Sequence, residues 1–164
     1  MDVGKDNMNS ETEACAMMPS LLIRRLHQIQ HALFCEEADK FDVTLVQMNV
    51  LSAIARQTGR DQSSIAEEVG ADKATLASVL TRLEASSLIR RTISKTDQRQ
   101  KLLYLTAKGK RLVDKMQEPL LRANERTLEP LAPSQRAQFL SLLLALVNGG
   151  NENARTRLRL PINV

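Results

Sequence analysis

Two histidines and a cysteine recur at four-residue intervals near the start of the chain. His27, His31 and Cys35 would share one face of a helix, with Arg24 beside them. The segment HQIQH has the histidine spacing of a zinc hydrolase, but the position of the general base holds Gln28, and an amide cannot take the proton. The sequence also shows no Ser-His-Asp set, nucleophile elbow or phosphate loop. We therefore expect a protein that is not an enzyme and uses no cofactor.

A second group of chemistry-bearing residues is basic. Nine Lys and Arg residues lie between Arg82 and Arg111, against only Glu84 and Asp97, although the 164-residue chain carries a net charge of just +4. A localised positive stretch is typical of a surface that binds the phosphate backbone of nucleic acid. The charge pattern therefore predicts double-stranded DNA as a partner. An alternative function is that of a winged-helix domain that binds protein and not DNA. That function would give no reason for the positive stretch.

The elements that must position these charges lie between residues 61 and 106. Asp61 and Gly70 would begin and end a short helix, and Asp72 would cap a second one. This is the helix-turn-helix pattern, in which the second helix reads DNA. The apolar stripe of that helix is Leu76, Val79, Leu80 and Leu83. Its other face is small and polar, which lets a helix lie deep in the major groove. The period then changes from helical to alternating, which predicts strands at 88–93 and 102–106.

Further helices flank this region. Helical spacing of apolar residues predicts helices at 20–39, from Thr44 to about Thr58, at 107–130 and at 134–148. The last of these is apolar on more than one face, and such a helix must be buried in something larger. We infer that the first and the last two helices form the interface of a homodimer.

Composition also indicates the cellular compartment of the protein. The two cysteines make no disulfide framework, and the first 20 residues contain no apolar core of a signal peptide. The longest apolar run, 139–147, is too short to span a bilayer. We expect a cytoplasmic, nucleoid-associated protein without a membrane partner.

An ordered set of short motifs runs through the reading helix and the hairpin. In chain order they are DKATL from Asp72, Arg82-Leu83-Glu84, Leu88-Ile89, Arg91, Asp97-x-Arg99 and Leu105-Thr106-x-x-Gly109. This set resembles the MarR family of bacterial winged-helix regulators, and the resemblance covers about residues 20–148. Two positions depart from it, since family members often carry Gly at the position of Ser87 and Arg at that of Ser78. Ser87 is therefore a candidate left-handed cap.

The resemblance implies how DNA would be bound. Each protomer of a homodimer would place its recognition helix in the major groove of a palindromic operator and its wing in the flanking minor groove. Arg99 would enter that minor groove, and Asp97 would anchor the wing through an ion pair at its base. The assigned DNA-binding residues are Lys73, Ala74, Thr75, Ser78, Thr81, Arg82, Arg91, Lys95, Arg99 and Lys101.

The histidine face of the first helix is where we expect control. MarR relatives commonly bind small aromatic acids between the dimer helices and the DNA-binding lobe. By that resemblance Arg24, His27 and His31 would hold the carboxylate of a hydroxynicotinate- or benzoate-like effector. The segment PSLLIRRL also resembles regulators of nicotinate and related aromatic-acid catabolism. Two other uses stay open: a metal site with Cys35, which lacks an evident fourth ligand, and a thiol switch at Cys35 or Cys15. A last interpretation makes both histidines ordinary interface residues.

The sequence thus predicts a mainly α fold with a small β-wing. The expected divisions are a disordered segment at 1–18, a MarR-type domain at 19–148 and a flexible tail at 149–164. The alternating Arg and Leu residues of that tail could instead form an arm on DNA or across the dimer. Within the domain, dimerisation helices at about 19–40 and 107–148 flank a winged helix-turn-helix at about 44–106. The expected function is that of a dimeric transcriptional regulator, a repressor that a small aromatic acid releases from DNA.

Overall fold

The structure, a computed structural model, describes residues 18–159. Within this part the chain forms six α-helices and one small sheet. In chain order the elements are α1 (Pro19–Glu37), α2 (Leu45–Arg56), β1 (Arg60–Asp61), α3 (Gln62–Val69), α4 (Lys73–Ala85), β2 (Ile89–Ile93), β3 (Lys101–Leu105), α5 (Ala107–Leu128) and α6 (Pro133–Gly150). The predicted mainly α fold with a β-wing is confirmed. Cys15, and all but the last residue of the segment predicted to be disordered, lie outside the described residues.

Side-chain caps begin the three helices α2, α3 and α4. At α2, Thr44 and Gln47 form the predicted capping box, with each side chain accepting a hydrogen bond from the backbone N–H of the other, at 2.8 and 3.3 Å. Asp61 accepts hydrogen bonds from the first N–H groups of α3, and Asp72 accepts one from Thr75 N–H at 2.8 Å. These contacts satisfy helix donors that have no partner within the helix. Local sequence therefore sets where each helix starts.

A left-handed glycine makes the turn between α3 and α4. Gly70 has φ +65°, a conformation that costs glycine little because it has no Cβ. The chain then enters α4 after only two further residues, Ala71 and Asp72. This turn sets the relative placement of the two helices of the helix-turn-helix.

The sheet has the antiparallel order β1-β3-β2. In β2 and β3 the observed strands agree with the predicted ones to within one residue at each end, and Arg91 lies opposite Leu103. The sequence did not predict β1, whose Arg60 also pairs with Leu103. Two residues are too few to show an alternating pattern, so only the long-range pairing reveals this strand. β1 fixes the wing against the start of α3.

One aliphatic core joins the helices to the wing. Its fully buried side chains include Met48, Leu51, Ile54, Ile65, Leu76, Leu80, Leu83 and Leu103. Three of the four residues predicted for the α4 stripe are buried, and Val79 is half-buried at its edge. Burial of these side chains holds α4 with its opposite face outward.

α1 and α5 pack together away from the wing. Phe34 of α1 and Met116 and Ala123 of α5 are buried at this contact. Glu37 at the end of α1 accepts hydrogen bonds from Arg122 at 2.7 Å and Arg126 at 2.9 Å. The Arg122 and Arg126 guanidinium groups, in that order, hold the pKa of Glu37 below its usual value. The two helices therefore form a braced pair.

α6 extends away from the rest of its own chain. None of its residues is buried, and Leu142 and Leu146 are 59% and 69% exposed. The helix ends at Gly150 rather than at 148, so Gly149 and Gly150 do not stop it. Between residues 18 and 159, no helix combines the length and apolar content that crossing a bilayer requires.

The described part of the C-terminal segment contacts the rest of the chain. A short 3-10 turn at Asn151–Asn153 follows α6, and Leu158 and Arg159 then contact the turn and α3. Residues 160–164 lie outside the described part. Sequence alone could not show these contacts, because the residue that Arg159 contacts, Glu67, lies far away along the chain.

Candidate nucleic-acid interface

The outward face of α4 is small and polar. All six residues predicted to read DNA from this helix are exposed: Lys73, Ala74, Thr75, Ser78, Thr81 and Arg82. Two of their hydroxyls already donate their proton within the helix region. Thr75 Oγ1 donates to Asp72 at 2.8 Å, and Thr81 Oγ1 donates to the Ala77 carbonyl at 3.0 Å. These threonines therefore offer DNA a methyl group and an acceptor oxygen, which suits thymine methyls and base amino groups.

The capping carboxylate of α4 is held in its ionised form. The backbone N–H of Thr75, followed by the Thr75 hydroxyl, lowers the pKa of Asp72, and the more distant positive charge of Arg155 acts in the same direction. Asp72 thus fixes the first turn of α4 and the rotamer of Thr75 together. Lys73, the next residue, is exposed at the same end.

Arg91 of β2 contacts the last turns of α4. Its Nε lies 3.0 Å from Glu84 Oε2 and its side chain is 19% exposed. The Nε–H does not point at that oxygen, so the contact is an ion pair rather than a hydrogen bond. Its terminal nitrogen also donates to Thr81 Oγ1 at 3.4 Å. Arg91 therefore braces β2 against α4, and its assignment to DNA binding stays a prediction.

The wing tip is a turn that hydrogen bonds hold in place, and it exposes three cations. Ser94, which is buried, accepts hydrogen bonds from the Thr96 and Asp97 N–H groups, both at 3.3 Å. Asp97 Oδ1 in turn accepts the N–H of Arg99 at 2.9 Å. The exposed cations between Ser94 and Lys101 are Lys95, Arg99 and Lys101.

Asp97 anchors the wing differently from what the resemblance implied. Within residues 18–159 it makes no ion pair, and its carboxylate instead closes the turn on the backbone of Arg99. An aspartate that accepts a hydrogen bond from the N–H two residues on forms an Asx-turn. The contact still fixes the chain direction at Arg99, so the Asp-x-Arg spacing has a local structural cause.

The base of the wing explains the Leu-Thr-x-x-Gly motif. Thr106 donates its hydroxyl to the Ser87 carbonyl at 2.7 Å and accepts the N–H of Gly109 at 3.0 Å. A Cβ on Gly109 would lie 2.0 Å from the carbonyl oxygen of Leu88. Ser87 has φ +57°, the only positive φ of a non-glycine residue in the described part, so the predicted left-handed conformation at Ser87 is confirmed. α5 thus begins in direct contact with the end of α4.

α3, the first helix of the helix-turn-helix, contains a buried carboxylate. Glu68 of α3 is 7% exposed and pairs with Arg56 of α2 and Arg60 of β1. Burial raises the pKa of Glu68, but hydrogen bonds from Arg60 and Arg56 outweigh it and leave the pKa below its usual value. The sequence did not predict this network because its members are 8 and 12 residues apart.

The predicted effector residues are exposed on α1. Arg24, His27 and His31 lie in the part of the helix that the single chain leaves uncovered. Cys35 Sγ lies 3.7 Å from His31 Nδ1. Within residues 18–159, no group of three or more His, Cys, Asp or Glu residues is placed to hold a metal ion.

A cationic cleft lies where α1 and α5 meet the winged helix-turn-helix. It has a volume of about 430 Å³ between the α1–α2 connection, the end of α4 and the start of α5. Phe41, Leu88 and Leu112 supply apolar walls. The charged side chains around it are the acidic Asp42 and the basic Lys40, Lys108, Arg111 and Lys115. Their positive charge was visible in the sequence, but their convergence on Phe41 was not.

Comparison with known proteins shows which sequences this chain is similar to. The model of the MarR family matches residues 43–101. The chain is 30% identical over 126 residues to the transcriptional regulator HosA of Escherichia coli, across 77% of this chain and 92% of that protein.

Two solved structures are similar over most of the chain. PcaV of Streptomyces coelicolor, in complex with its natural ligand, is 32% identical, with a TM-score of 0.74 over 81% of this chain and 94% of that one. BpsR of Bordetella bronchiseptica is 27% identical, with a TM-score of 0.76 over 80% and 94%. That structure addresses regulation of DNA binding by 6-hydroxynicotinic acid.

Proposed function

Because this chain belongs to the MarR family of transcriptional regulators, we propose that it acts as a homodimeric repressor on a palindromic DNA operator. The observation that carries this proposal is the shared exposure of the small polar face of α4 and the cations of the wing. A helix of this surface suits the major groove. A narrow minor groove concentrates negative potential and attracts arginine, which gives Arg99 its proposed position.

The uncovered helices support the homodimer. Leu142 and Leu146 of α6 and Leu22 and Ile29 of α1 are all about half exposed or more in the single chain. Apolar surface on this scale calls for a partner. A twofold dimer buries the same surface on both protomers, and it presents two α4 helices in opposite directions. Such a pair matches a palindrome whose half-sites are one helical turn, about 34–36 Å, apart.

The effector of this proposal is a small aromatic carboxylate. PcaV with its natural ligand, and BpsR with its regulation by 6-hydroxynicotinic acid, are similar proteins that small molecules bind or regulate. Arg24, His27 and His31 offer one cation and two ring donors on a single face of α1. We place the carboxylate there, where the partner protomer would complete the site.

The cationic cleft is a second location for the same ligand. Phe41 and Leu112 would contact an aromatic ring, and Lys108 and Arg111 would pair with its carboxylate. Specific pockets usually combine apolar walls with a few placed polar groups. The cleft also touches Ser86 and Leu88 at the end of α4, so a ligand bound there would act directly on the reading helix.

Release from DNA follows from differential binding to two dimer conformations. A ligand shifts an equilibrium only as far as it prefers one state over the other. We propose that the aromatic acid prefers the conformation in which the two α4 helices no longer match the half-site spacing. The Glu37–Arg122–Arg126 brace would transmit this change, because it makes α1 and α5 move together.

The effector assignment is tested by comparing variants of the two locations. Purified wild type, His31→Ala and Arg111→Ala would be titrated with benzoate and 6-hydroxynicotinate while bound to labelled DNA. We expect His31→Ala to keep its DNA affinity and to need a higher acid concentration for release. A normal response of His31→Ala with a weakened response of Arg111→Ala moves the site to the cleft. Failure of both acids to release the wild type contradicts the aromatic carboxylate.

A further inference from the structure

The C-terminal segment is docked on the DNA-binding region at defined points. The Asn151 side chain accepts the Leu158 N–H at 2.7 Å and donates to the Leu158 carbonyl at 2.8 Å. Arg159 donates its N–H to the Glu67 carbonyl at 2.7 Å and forms an ion pair with the Glu67 carboxylate at 3.0 Å. Leu158 also packs over Gly70, 3.3 Å from where a Cβ would lie. Residues 155–157 therefore form an arch whose two ends are held.

The arch borders a cleft of about 540 Å³ between α3, the start of α4 and the wing. Its cations come from three separate parts of the chain: Lys73, Arg99, Lys101, Arg155 and Arg157. The two carboxylates in the lining are already engaged. Asp61 caps α3, and Glu67 pairs with Arg159. The free charge of the cleft is therefore strongly positive, and its neutral lining of Gln62, Ser63 and Gln100 is polar.

The cleft lies where the backbone of one strand of bound DNA would pass. With α4 in the major groove and the wing tip in the adjacent minor groove, the phosphate backbone that separates the two grooves must pass between these elements. The cleft lies between Lys73 at the start of α4 and Arg99 near the wing tip. Arg155 is exposed, and among residues 18–159 the exposed Arg157 pairs with the exposed Glu152. A phosphate can replace such a solvent-exposed partner at little cost.

We propose that the C-terminal segment is a phosphate-binding arm, in which Arg155 and Arg157 contact the DNA backbone that runs between α4 and the wing. The arm rests on the proposed DNA-binding function and adds a third contact to it. Its contribution is independent of base sequence, because it reads phosphates only. The docked Leu158 and Arg159 hold the arch at the cleft and reduce the ordering that DNA binding requires.

The test compares charge removal with charge conservation in the full chain. Arg155→Ala/Arg157→Ala, Arg155→Lys/Arg157→Lys and wild type would be titrated against a mixed-sequence duplex of about 30 base pairs, roughly three helical turns. Fluorescence anisotropy across a range of salt concentrations gives the slope of log K against log salt. Removal of one side chain that neutralises a phosphate lowers this slope by about 0.9. We expect the alanine pair to lower it by about 1.8 per engaged protomer and the lysine pair to leave it nearly unchanged.

Three outcomes overturn the arm. An unchanged slope in the alanine pair shows that neither arginine meets a phosphate. Equal losses in the alanine and lysine pairs show a structural role rather than a charge role. Tighter DNA binding by the alanine pair, or by a chain that ends at Gly150, shows that the segment occludes the cleft. Failure of the proposed function looks different, because the wild type itself then shows no salt-dependent binding to the duplex.

Discussion

At the scale of single residues, the cations of the DNA face divide into braced and free ones. The sequence predicts DNA binding for both Arg91 and Arg99, with Arg99 in the minor groove. In the structure Arg91 is paired with Glu84, whereas Arg99 is exposed at a turn that Asp97 closes. The sequence shows the charges and the Asp-x-Arg spacing. Only tertiary contacts distinguish an arginine that holds two elements together from one whose guanidinium is exposed.

Arg99→Ala should weaken binding to all DNA sequences and lower the salt slope by about 0.9 for each phosphate that Arg99 neutralises. Arg99→Lys is the matched control, because it keeps the charge and removes the planar guanidinium that suits a narrow minor groove. It should keep the slope and lose preference for AT-rich flanks. The measurement is anisotropy with flanks of different sequence. Unchanged affinity in Arg99→Ala would remove the wing tip from the interface.

Glu68→Ala should destabilise the fold by about 2 to 3 kcal/mol. Removal of one partner of a buried pair costs about 3–5 kcal/mol, and the half-exposed Arg56 lowers that cost because water can solvate it. Glu118→Ala is the control, since that carboxylate is 79% exposed in its pair with Arg122 and should cost under about 1 kcal/mol. Denaturant unfolding at fixed protein concentration gives both values. Equal effects would show that the Glu68 network contributes little.

The same carboxylate predicts the acid dependence of stability. Its pKa is lower in the folded chain than its ordinary value of 4.5. The stabilisation is therefore complete above that ordinary value and is lost as the pH falls below it towards the lowered folded pKa. Glu68→Gln should lose less stability than wild type over this acid range. Parallel pH profiles of the two proteins would contradict the assignment.

At the scale of elements, the starts of the helices were predictable and their long-range partners were not. Thr44, Asp61 and Asp72 cap helices through contacts within three residues, so a local pattern is enough to find them. β1, the Glu68 network and the docking of Leu158 each depend on residues far apart in sequence. The sequence predicted that α6 ends at residue 148, but the helix continues to Gly150. Nothing in the local sequence forced the helix to stop at Gly149.

The junction of wing and α5 makes a sharp prediction at Gly109. Gly109→Ala would place a Cβ 2.0 Å from the Leu88 carbonyl oxygen, which itself accepts the Thr106 N–H at 3.0 Å. We expect a loss of about 1–3 kcal/mol, the usual cost of overpacking, together with weaker DNA binding. Gly149→Ala is the control, because nothing lies within 4 Å of that site in the described part of the chain. It should be neutral or stabilising by up to about 1 kcal/mol.

At the scale of the whole molecule, the uncovered apolar surface of α1 and α6 defines what the single chain lacks. The composition of α6 predicted this excess, and the structure leaves that helix without a buried residue. In the proposed dimer, this surface would form the contact between the protomers. It would also set the distance between the two α4 helices, on which recognition of a palindrome depends.

Leu142→Glu and Leu146→Glu should each dissociate the dimer, because a charge buried without a partner is costly. Sedimentation velocity gives the oligomeric state, and DNA binding should fall with it. Val46→Glu is the control: Val46 lies on α2 and is 45% exposed, and its substitution should leave the dimer intact. A dimer that survives both α6 substitutions would place the interface elsewhere.

The central claim is that a twofold dimer recognises palindromic DNA through α4 and the wing. The most direct measurement is selection of bound duplexes from a random-sequence pool by the purified wild-type protein, followed by sequencing of the enriched DNA. We predict an inverted repeat with half-site centres about 10 base pairs or a multiple apart, bound about a thousandfold or more tighter than mixed-sequence DNA. Enrichment of no sequence, or of one without twofold symmetry, would contradict it.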